Sequence, residues 1–117
     1  MTALLSYNCR FLTTLDLSRT CLGDESVNFI VKAEWHYIDI FAFASNNITS
    51  EGIKQLRKCE WKFISLATLN HNPLKNAGAK ELIKLNWRGL KYLCLKDVGL
   101  TDNGAKILAR AQWPKLI

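Results

Sequence analysis

The sequence lacks any long apolar run of the kind that crosses a membrane. Hydrophobic residues make up 49% of the chain, but no uninterrupted stretch approaches the roughly 18 residues that a spanning helix needs. The opening residues, MTALLSYNCRFL, also lack the charged start and the long apolar core of a secretory signal. With 22% charged residues, the composition is ordinary for a soluble globular domain.

Cysteine pairs are missing as well. The chain has four cysteines, Cys9, Cys21, Cys59 and Cys94, and no two of them form a C-x-x-C pair. A zinc ribbon or a redox motif is therefore unsupported. Reduced thiols in a reducing cytosol are the simplest interpretation, and we expect a cytoplasmic protein.

Catalytic motifs are absent too. The chain has no G-x-S-x-G, no H-E-x-x-H and no P-loop sequence, which are the signatures of common hydrolases, metalloproteases and nucleotidases. His36 and His71 stand at no metal-ligand spacing from a cysteine or a carboxylate. The sequence therefore predicts a protein that is not an enzyme and that holds no metal and no cofactor.

What the sequence does contain is an internal repeat of 26 residues without an insertion. Several columns of residues keep this step. The clearest column is Trp35, Trp61, Trp87 and Trp113; others are Leu15, Phe41, Ala67 and Leu93; Ile38, Ile64, Leu90 and Leu116; and Gly52, Gly78 and Gly104. Because many independent columns share one period, the chain is predicted to be a repeat protein.

Each repeat changes its periodicity part-way along. Residues 90–95 end in the alternation of a short strand, whereas residues 102–111 have apolar residues at helical spacing. Thr49, Thr101 and Asp102 are candidate helix N-caps, and the glycine column is expected to let each helix start approach its neighbour closely. Stacking such units predicts an α/β solenoid, a short horseshoe with parallel strands on the concave face and helices on the convex face.

The predicted organisation is one domain over residues 1–117. Its repeats are expected at about 9–34, 35–60, 61–86 and 87–112, with a partial fifth repeat at 113–117. The four tryptophans are expected to be packed between helix and strand rather than exposed for stacking. Cys9 and Cys59 fall in core columns and are expected to be inert, whereas Cys94 should point to the open face.

The repeats resemble the leucine-rich-repeat family. The family pattern L-x-x-L-x-L-x-x-N-x-L stands in the third repeat as Ile64-x-x-Ala67-x-Leu69-x-x-Asn72-x-Leu74. The fourth repeat keeps the leucines but has Val98 in the asparagine position, and the helical second half of each repeat is similar to the ribonuclease-inhibitor-like class. The resemblance implies that the amides of Asn46 and Asn72 bond turn backbone inside the solenoid. Because the fourth repeat has Val98 instead, the backbone groups of its turn must find other hydrogen-bond partners.

The open strand face is the predicted binding surface. Alternate strand residues should point away from the core, and Ile40, Leu66 and Tyr92 would form an apolar stripe among them, which is a candidate protein-binding site. The predicted partner-binding residues are Thr14, Asp16, Ile40, Ala42, Leu66, Thr68, Tyr92, Cys94 and Lys96. The sequence thus predicts a protein–protein interaction module, with scattered apolar exposure that binds nothing as the alternative.

A basic patch on the convex helical face supports a second interpretation. Its columns are Lys32, Lys58, Lys84 and Arg110, and, four residues earlier, Lys54, Lys80 and Lys106. Residues four apart share a helical face, so stacking would build a cationic surface for nucleic acid or an anionic membrane. A solvated helix surface is the alternative, and aromatic residues are not interleaved in these columns, which disfavours nucleic acid.

The ends of the chain allow two further expectations. Terminal repeats of a solenoid normally need a polar cap, and neither end has one, so we expect either self-association, for example as a homodimer, or a longer natural chain. A four-repeat monomer in which the Trp113 segment folds back as a lid is the alternative. Similar repeats occur in intracellular immune-type receptors and in effectors of intracellular bacteria. A fragment of such a receptor or effector is therefore an open alternative, and an effector would act in the host cytosol.

Overall fold

Strand and helix alternate along residues 11–116, the range that the computed structural model describes. Cys9 and the first residues of the predicted first repeat lie outside this range. The strands are β1 (Thr14–Asp16), β2 (Ile40–Ala42), β3 (Leu66–Thr68) and β4 (Tyr92–Cys94). The helices are α1 (Glu25–Lys32), α2 (Ser50–Leu56), α3 (Lys75–Leu82) and α4 (Asp102–Leu108), and a 3₁₀ turn at Arg57–Cys59 continues α2.

The four strands form one parallel sheet in the order β1-β2-β3-β4. Its register advances by one repeat at each step, so Leu15 pairs with Phe41, Phe41 with Ala67, and Ala67 with Leu93. The helices stack in the same order, each against the next. The predicted α/β leucine-rich-repeat solenoid, with strands on one face and helices on the other, is confirmed.

The core lies between the sheet and the helices, and the tryptophan column is part of it. Trp35, Trp61 and Trp87 are each 3% exposed, and Trp113 packs against the core while remaining partly exposed. The ring of Phe41 on β2 meets Trp61 of the next repeat edge-on, with ring centroids 4.9 Å apart. The prediction that the tryptophans pack between helix and strand is therefore confirmed.

Buried asparagines connect the turns that follow the strands. Oδ1 of Asn72 accepts the N–H groups of Asn46 (2.9 Å) and Ile48 (3.0 Å), both in the preceding repeat. Its Nδ2 donates to the carbonyl oxygens of Phe43 (3.0 Å) and Leu69 (3.1 Å). Asn46 serves the first and second repeats in the same way. The prediction that these amides bond turn backbone is confirmed.

Val98 affects two repeats, of which only its own was predicted. Each asparagine accepts N–H groups of the preceding repeat and donates to carbonyl oxygens of its own turn. A valine at this position therefore leaves the third repeat without a side-chain acceptor and the fourth repeat without side-chain donors. In the third repeat the N–H of Leu74 donates to the carbonyl of Asn72 instead (2.8 Å). The N–H of Lys75 donates to the carbonyl of Val98 (2.8 Å), as the N–H of Gly23 donates to the carbonyl of Asn46 in the first repeat.

The third repeat also has its own turn conformation. In the other repeats one turn position is left-handed, with φ of 51° at Cys21, 58° at Asn47 and 78° at Gly99. The third repeat has Pro73 at this position, and the proline ring cannot adopt a positive φ. The left-handed residue is instead Lys75, with φ of 58°, directly where helix α3 begins.

Two glycines of the column stand where successive repeats approach closely. A Cβ atom at Gly52 would collide with the carboxylate of Asp24 and lie 2.8 Å from Cγ2 of Ile48. One at Gly104 would collide with the side-chain amide of Asn76. The prediction that these glycines permit close approach of a helix start to the neighbouring repeat is confirmed at Gly52 and Gly104, whereas a Cβ atom at Gly78 would meet only Leu74 of its own repeat.

Residues near these contacts also accept backbone N–H groups at the helix starts. Thr49 is the N-cap of α2 and accepts the N–H of Glu51 (3.3 Å), while Oδ1 of Asp24 in the preceding repeat accepts the N–H of Thr49 (2.8 Å). Thr101 is the N-cap of α4, but its side chain makes no capping bond. Asp102 is the first residue inside α4, so its prediction as an N-cap is wrong.

Candidate binding surfaces

The register of the sheet brings the predicted partner-binding residues onto one face. Two columns run across all four strands: Thr14, Ile40, Leu66 and Tyr92; and Asp16, Ala42, Thr68 and Cys94. Between them on each strand the central residue points into the core. Ile40 and Leu66 are only half-buried, and Tyr92 is 49% exposed. This open strand face therefore presents a continuous stripe of apolar atoms to solvent.

A shallow depression of about 520 Å³ lies where the open strand face meets the turns after the strands. It is lined by Asp16, Ser18, Arg19, Ala44, Ser45, Thr68, Asn70 and His71. Small side chains form part of the lining, and polar side chains form the rest. A depression of this composition can accommodate a side chain of another molecule.

Charge changes along the open strand face. Asp16 is exposed in the first repeat, and Lys96 is exposed in the fourth, where its N–H donates to Oδ1 of Asn70 (2.7 Å). At the border of the face, Nδ1 of His71 lies 3.1 Å from a carboxylate oxygen of Asp97. A partner that lies along this face therefore meets an acidic residue at one end and a basic residue at the other.

Cys59 is buried and Cys94 is exposed, as their columns predict. Burial raises the pKa of the Cys59 thiol to about 12, which keeps it protonated and unreactive. Cys94 is exposed on β4, and neither cysteine, nor Cys21, is in a disulfide. Within residues 11–116 there is no group of three His, Cys, Asp or Glu side chains that could hold a metal ion.

The residues of the predicted basic patch lie both on the helices and in the segments that follow them. All seven predicted residues are exposed: Lys32, Lys54, Lys58, Lys80, Lys84, Lys106 and Arg110. Lys54, Lys80 and Lys106 stand on α2, α3 and α4, whereas Lys84 and Arg110 lie beyond the helix ends. In the described part of the chain no helix has the length and apolar character needed to cross a membrane.

Three stacked aromatic rings form a surface that the sequence prediction missed. Phe11, Tyr37 and Phe63, here named the aromatic ladder, occupy the loops that enter the strands and are 73%, 44% and 59% exposed. Adjacent ring centroids are 5.7 Å and 5.8 Å apart. The signal was available, since these residues follow the 26-residue step, two positions after the tryptophan column.

Comparisons with known proteins agree with this architecture. A leucine-rich-repeat family model matches residues 8–30. Among curated proteins no match is found. Among solved structures, the chain is similar to Leiomodin-1 Actin-Binding Site 2 (ABS2), with a TM-score of 0.70 and 15% sequence identity over 90% of this chain. The chain spans 66% of the length of that structure. The findings show the leucine-rich-repeat fold and support a place in the leucine-rich-repeat family.

Proposed function

We propose that this chain is a non-enzymatic protein-binding module whose partner lies on the open strand face. The observation that carries the proposal is the column Ile40–Leu66–Tyr92, in which neighbouring strands place apolar side chains next to one another on a solvent-facing sheet. Aromatic and aliphatic side chains of this kind dominate the free energy of many protein interfaces. The depression beside the column supplies room for a partner's side chain.

The rigidity of the sheet supports the same proposal. Every strand is held by its neighbours through the parallel ladder, and the turns after the strands are fixed by Asn46 and Asn72. A surface that is already ordered loses little conformational entropy when a partner binds. Binding rather than bond chemistry is the function that such a surface favours.

Mutation of the apolar column is the direct test. The double variant Tyr92→Ala with Leu66→Ser removes an exposed ring and a half-buried aliphatic side chain, and a hot-spot pair of this size is worth about 2 kcal/mol or more, roughly 30-fold in Kd. We expect the folded variant to lose capture of the protein that the wild type retains from cell lysate. The matched control, Lys80→Ser with Lys106→Ser on the helical face, should capture it as the wild type does.

Actin is the first defined partner to test, because the similar solved structure is an actin-binding site. Co-sedimentation with actin filaments and titration with monomeric actin would measure it, each with the same double variant as control. Capture by the double variant at the wild-type level, with its thermal unfolding cooperative, would contradict the assignment to the open strand face.

Three finer proposals accompany this function. We propose the ribonuclease-inhibitor-like class, because every described repeat has a helix opposite its strand. We propose a cytoplasmic location, because the described cysteines are free thiols. A chain that acts as one segment of a longer repeat receptor or effector would use the same face.

A further inference from the structure

The loops between helices and strands display cations and aromatic rings side by side. In the third repeat Trp61 is buried, the next residue, Lys62, is exposed, and the next, Phe63, is exposed as well. The second repeat has the same order, with His36 and Tyr37 both exposed. The indole anchors each loop in the core, and the following two side chains are held outside it. These loops form one rim of the solenoid, here named the loop rim.

The rings of the aromatic ladder are neighbours and remain open to solvent. Tyr37 stacks with Phe63 at an interplanar angle of 15°, and on its other side it meets Phe11 at 35°. Tyr37 therefore has an aromatic neighbour on each side, and the three rings together form an exposed apolar surface of the kind that the interfacial region of a membrane favours. Stacking of nucleobases on ring faces is the competing mode of binding that the experiment below distinguishes.

Beyond the ladder, the loop rim becomes cationic. The fourth repeat has Gly89 where an aromatic ring would stand, and next to it a groove of about 280 Å³ is lined by Lys84, Arg88 and Arg110 together with Asn86, Gln112, Ile83 and Leu85. We name this groove, with its three cations, the cationic groove. Its lining includes no acidic residue, whereas the equivalent groove one repeat earlier includes Glu60.

The charges around the cationic groove are only partly neutralised. Nζ of Lys84 lies 3.5 Å from a carboxylate oxygen of Glu81, and Nε of Arg88 donates to Oδ1 of Asn86 (3.1 Å), which carries no charge. The whole C-terminal half shares this bias: residues 61–117 have ten lysines and arginines against three acidic residues, while residues 1–60 have six against seven. The ligand that this part of the rim favours is anionic.

We propose that the loop rim docks on a membrane surface that contains anionic phospholipid. The rings of the aromatic ladder enter the region between headgroups and acyl chains, where aromatic side chains are favoured. The cationic groove lies against phosphate groups of the same leaflet, and basic side chains near an anionic surface add to binding. A membrane explains both halves of the rim with one occupant, since it offers an apolar layer beneath a negatively charged one.

Vesicle co-sedimentation tests the proposal. We expect the full chain to pellet with phosphatidylcholine vesicles that contain about one third phosphatidylserine, and to bind pure phosphatidylcholine vesicles at least about tenfold more weakly. Raising the salt concentration should release it, because exposed charges are screened. Equal binding to the two vesicle types, or none to either, would overturn the proposal.

Variants of the loop rim locate the contact. Tyr37→Ser with Phe63→Ser, and separately Arg88→Gln with Arg110→Gln, should each weaken vesicle binding by about tenfold or more. All four side chains are exposed, so these variants should fold, which far-ultraviolet circular dichroism and melting would check. Tyr37→Phe with Phe63→Trp keeps the aromatic rings and should bind like the wild type.

Matched controls separate the rim from the rest of the surface. Phe29→Ser removes an exposed ring from helix α1, and Lys54→Gln with Lys106→Gln removes two charges from the helical face; both should leave vesicle binding unchanged. Loss of binding in these controls to the same extent as in the rim variants would refute the assignment to the rim. A single-stranded oligouridylate that binds more tightly than the vesicles, and depends on the same rim residues, would overturn the membrane in favour of nucleic acid.

Discussion

Asn72 shows how much a single side chain does in this solenoid. It is buried, and its amide accepts N–H groups from the second repeat while donating to carbonyl oxygens of the second and third repeats. These backbone groups lie in turns that are shielded from water, where an unpaired donor or acceptor is costly. A polar residue in this core is therefore stabilising, because its amide pairs these backbone groups.

We expect Asn72→Ala to be among the most destabilising changes at a polar position. It leaves the N–H groups of Asn46 and Ile48 without their acceptor, and each buried unpaired group costs about 1–3 kcal/mol. The free energy of unfolding should fall by about 3 kcal/mol or more, measured by urea denaturation. Asn70→Ala, two residues away on the open strand face, is the control and should cost about 1 kcal/mol or less.

The family resemblance predicted that Asn46 and Asn72 bond turn backbone and that Val98 leaves its own turn without the amide, but it did not predict the acceptor that the third repeat loses. The direction of the bonds depends on how successive repeats are offset along the solenoid, and the spacing of one repeat does not contain that offset. Pro73 cannot adopt the positive φ of Cys21, Asn47 and Gly99, and Lys75 is left-handed as Gly23 is at the equivalent position of the first repeat. Only the structure shows which turn positions need a positive φ.

At the scale of the elements, the starts of α2 and α4 are matched to the repeat before each of them. Gly52 brings the first turn of α2 against Asp24, and the carboxylate of Asp24 bonds the N–H and the hydroxyl of Thr49. A helix of this length is marginal by itself, so its stability depends on this packing and on the bonds at its end. Glycine lowers the intrinsic helix propensity of α2, but a larger residue at this position would collide with Asp24.

Gly52→Ala should destabilise the protein although alanine is the better helix former. Propensity alone would add about 1 kcal/mol of stability, but the new methyl group overlaps the carboxylate of Asp24 and crowds Ile48, and overpacking of this kind costs about 1–3 kcal/mol. We expect a net loss of about 1 kcal/mol in thermal or chemical unfolding. In an Asp24→Ala background the same change should cost less, since the overlap is gone; equal costs in the two backgrounds would refute the close contact.

At the scale of the whole molecule, stability spreads along the array by contacts between neighbours. The sheet has only adjacent pairings, and the helices touch in sequence order. In such a solenoid a repeat in the middle is supported on two sides and a terminal repeat on one. The same substitution should therefore cost different amounts at different positions of one column.

The tryptophan column tests this dependence on position. Trp61→Ala removes a buried indole from the middle of the array, where truncation of a large side chain typically costs about 3–5 kcal/mol. Trp113→Ala removes a partly exposed indole beyond the last helix, and about 1 kcal/mol is expected there. Differential scanning calorimetry of both variants would measure the difference. A melting temperature for Trp61→Ala that equals the wild type would show the inside–outside assignment to be wrong.

The period of 26 residues was sufficient to predict the fold, because it fixes which residues lie side by side after stacking. It also predicted the two main columns of the open strand face, which the strand register reproduces. It did not reveal how exposed each column is. The aromatic ladder was missed for that reason: its residues flank the tryptophans, and whether a ring beside a core residue is buried or exposed depends on the path of the loop.

The regular burial of the tryptophans has a spectroscopic consequence. Trp35, Trp61 and Trp87 occupy equivalent places at equal exposure, so three of the four indoles can be replaced by phenylalanine to leave one emitter in a chosen repeat. Each such variant would fluoresce from a similarly shielded site, one repeat further along the chain. Following the red shift of each emitter during unfolding would then give the order in which the repeats expose their cores to water, and so the end from which the solenoid begins to open.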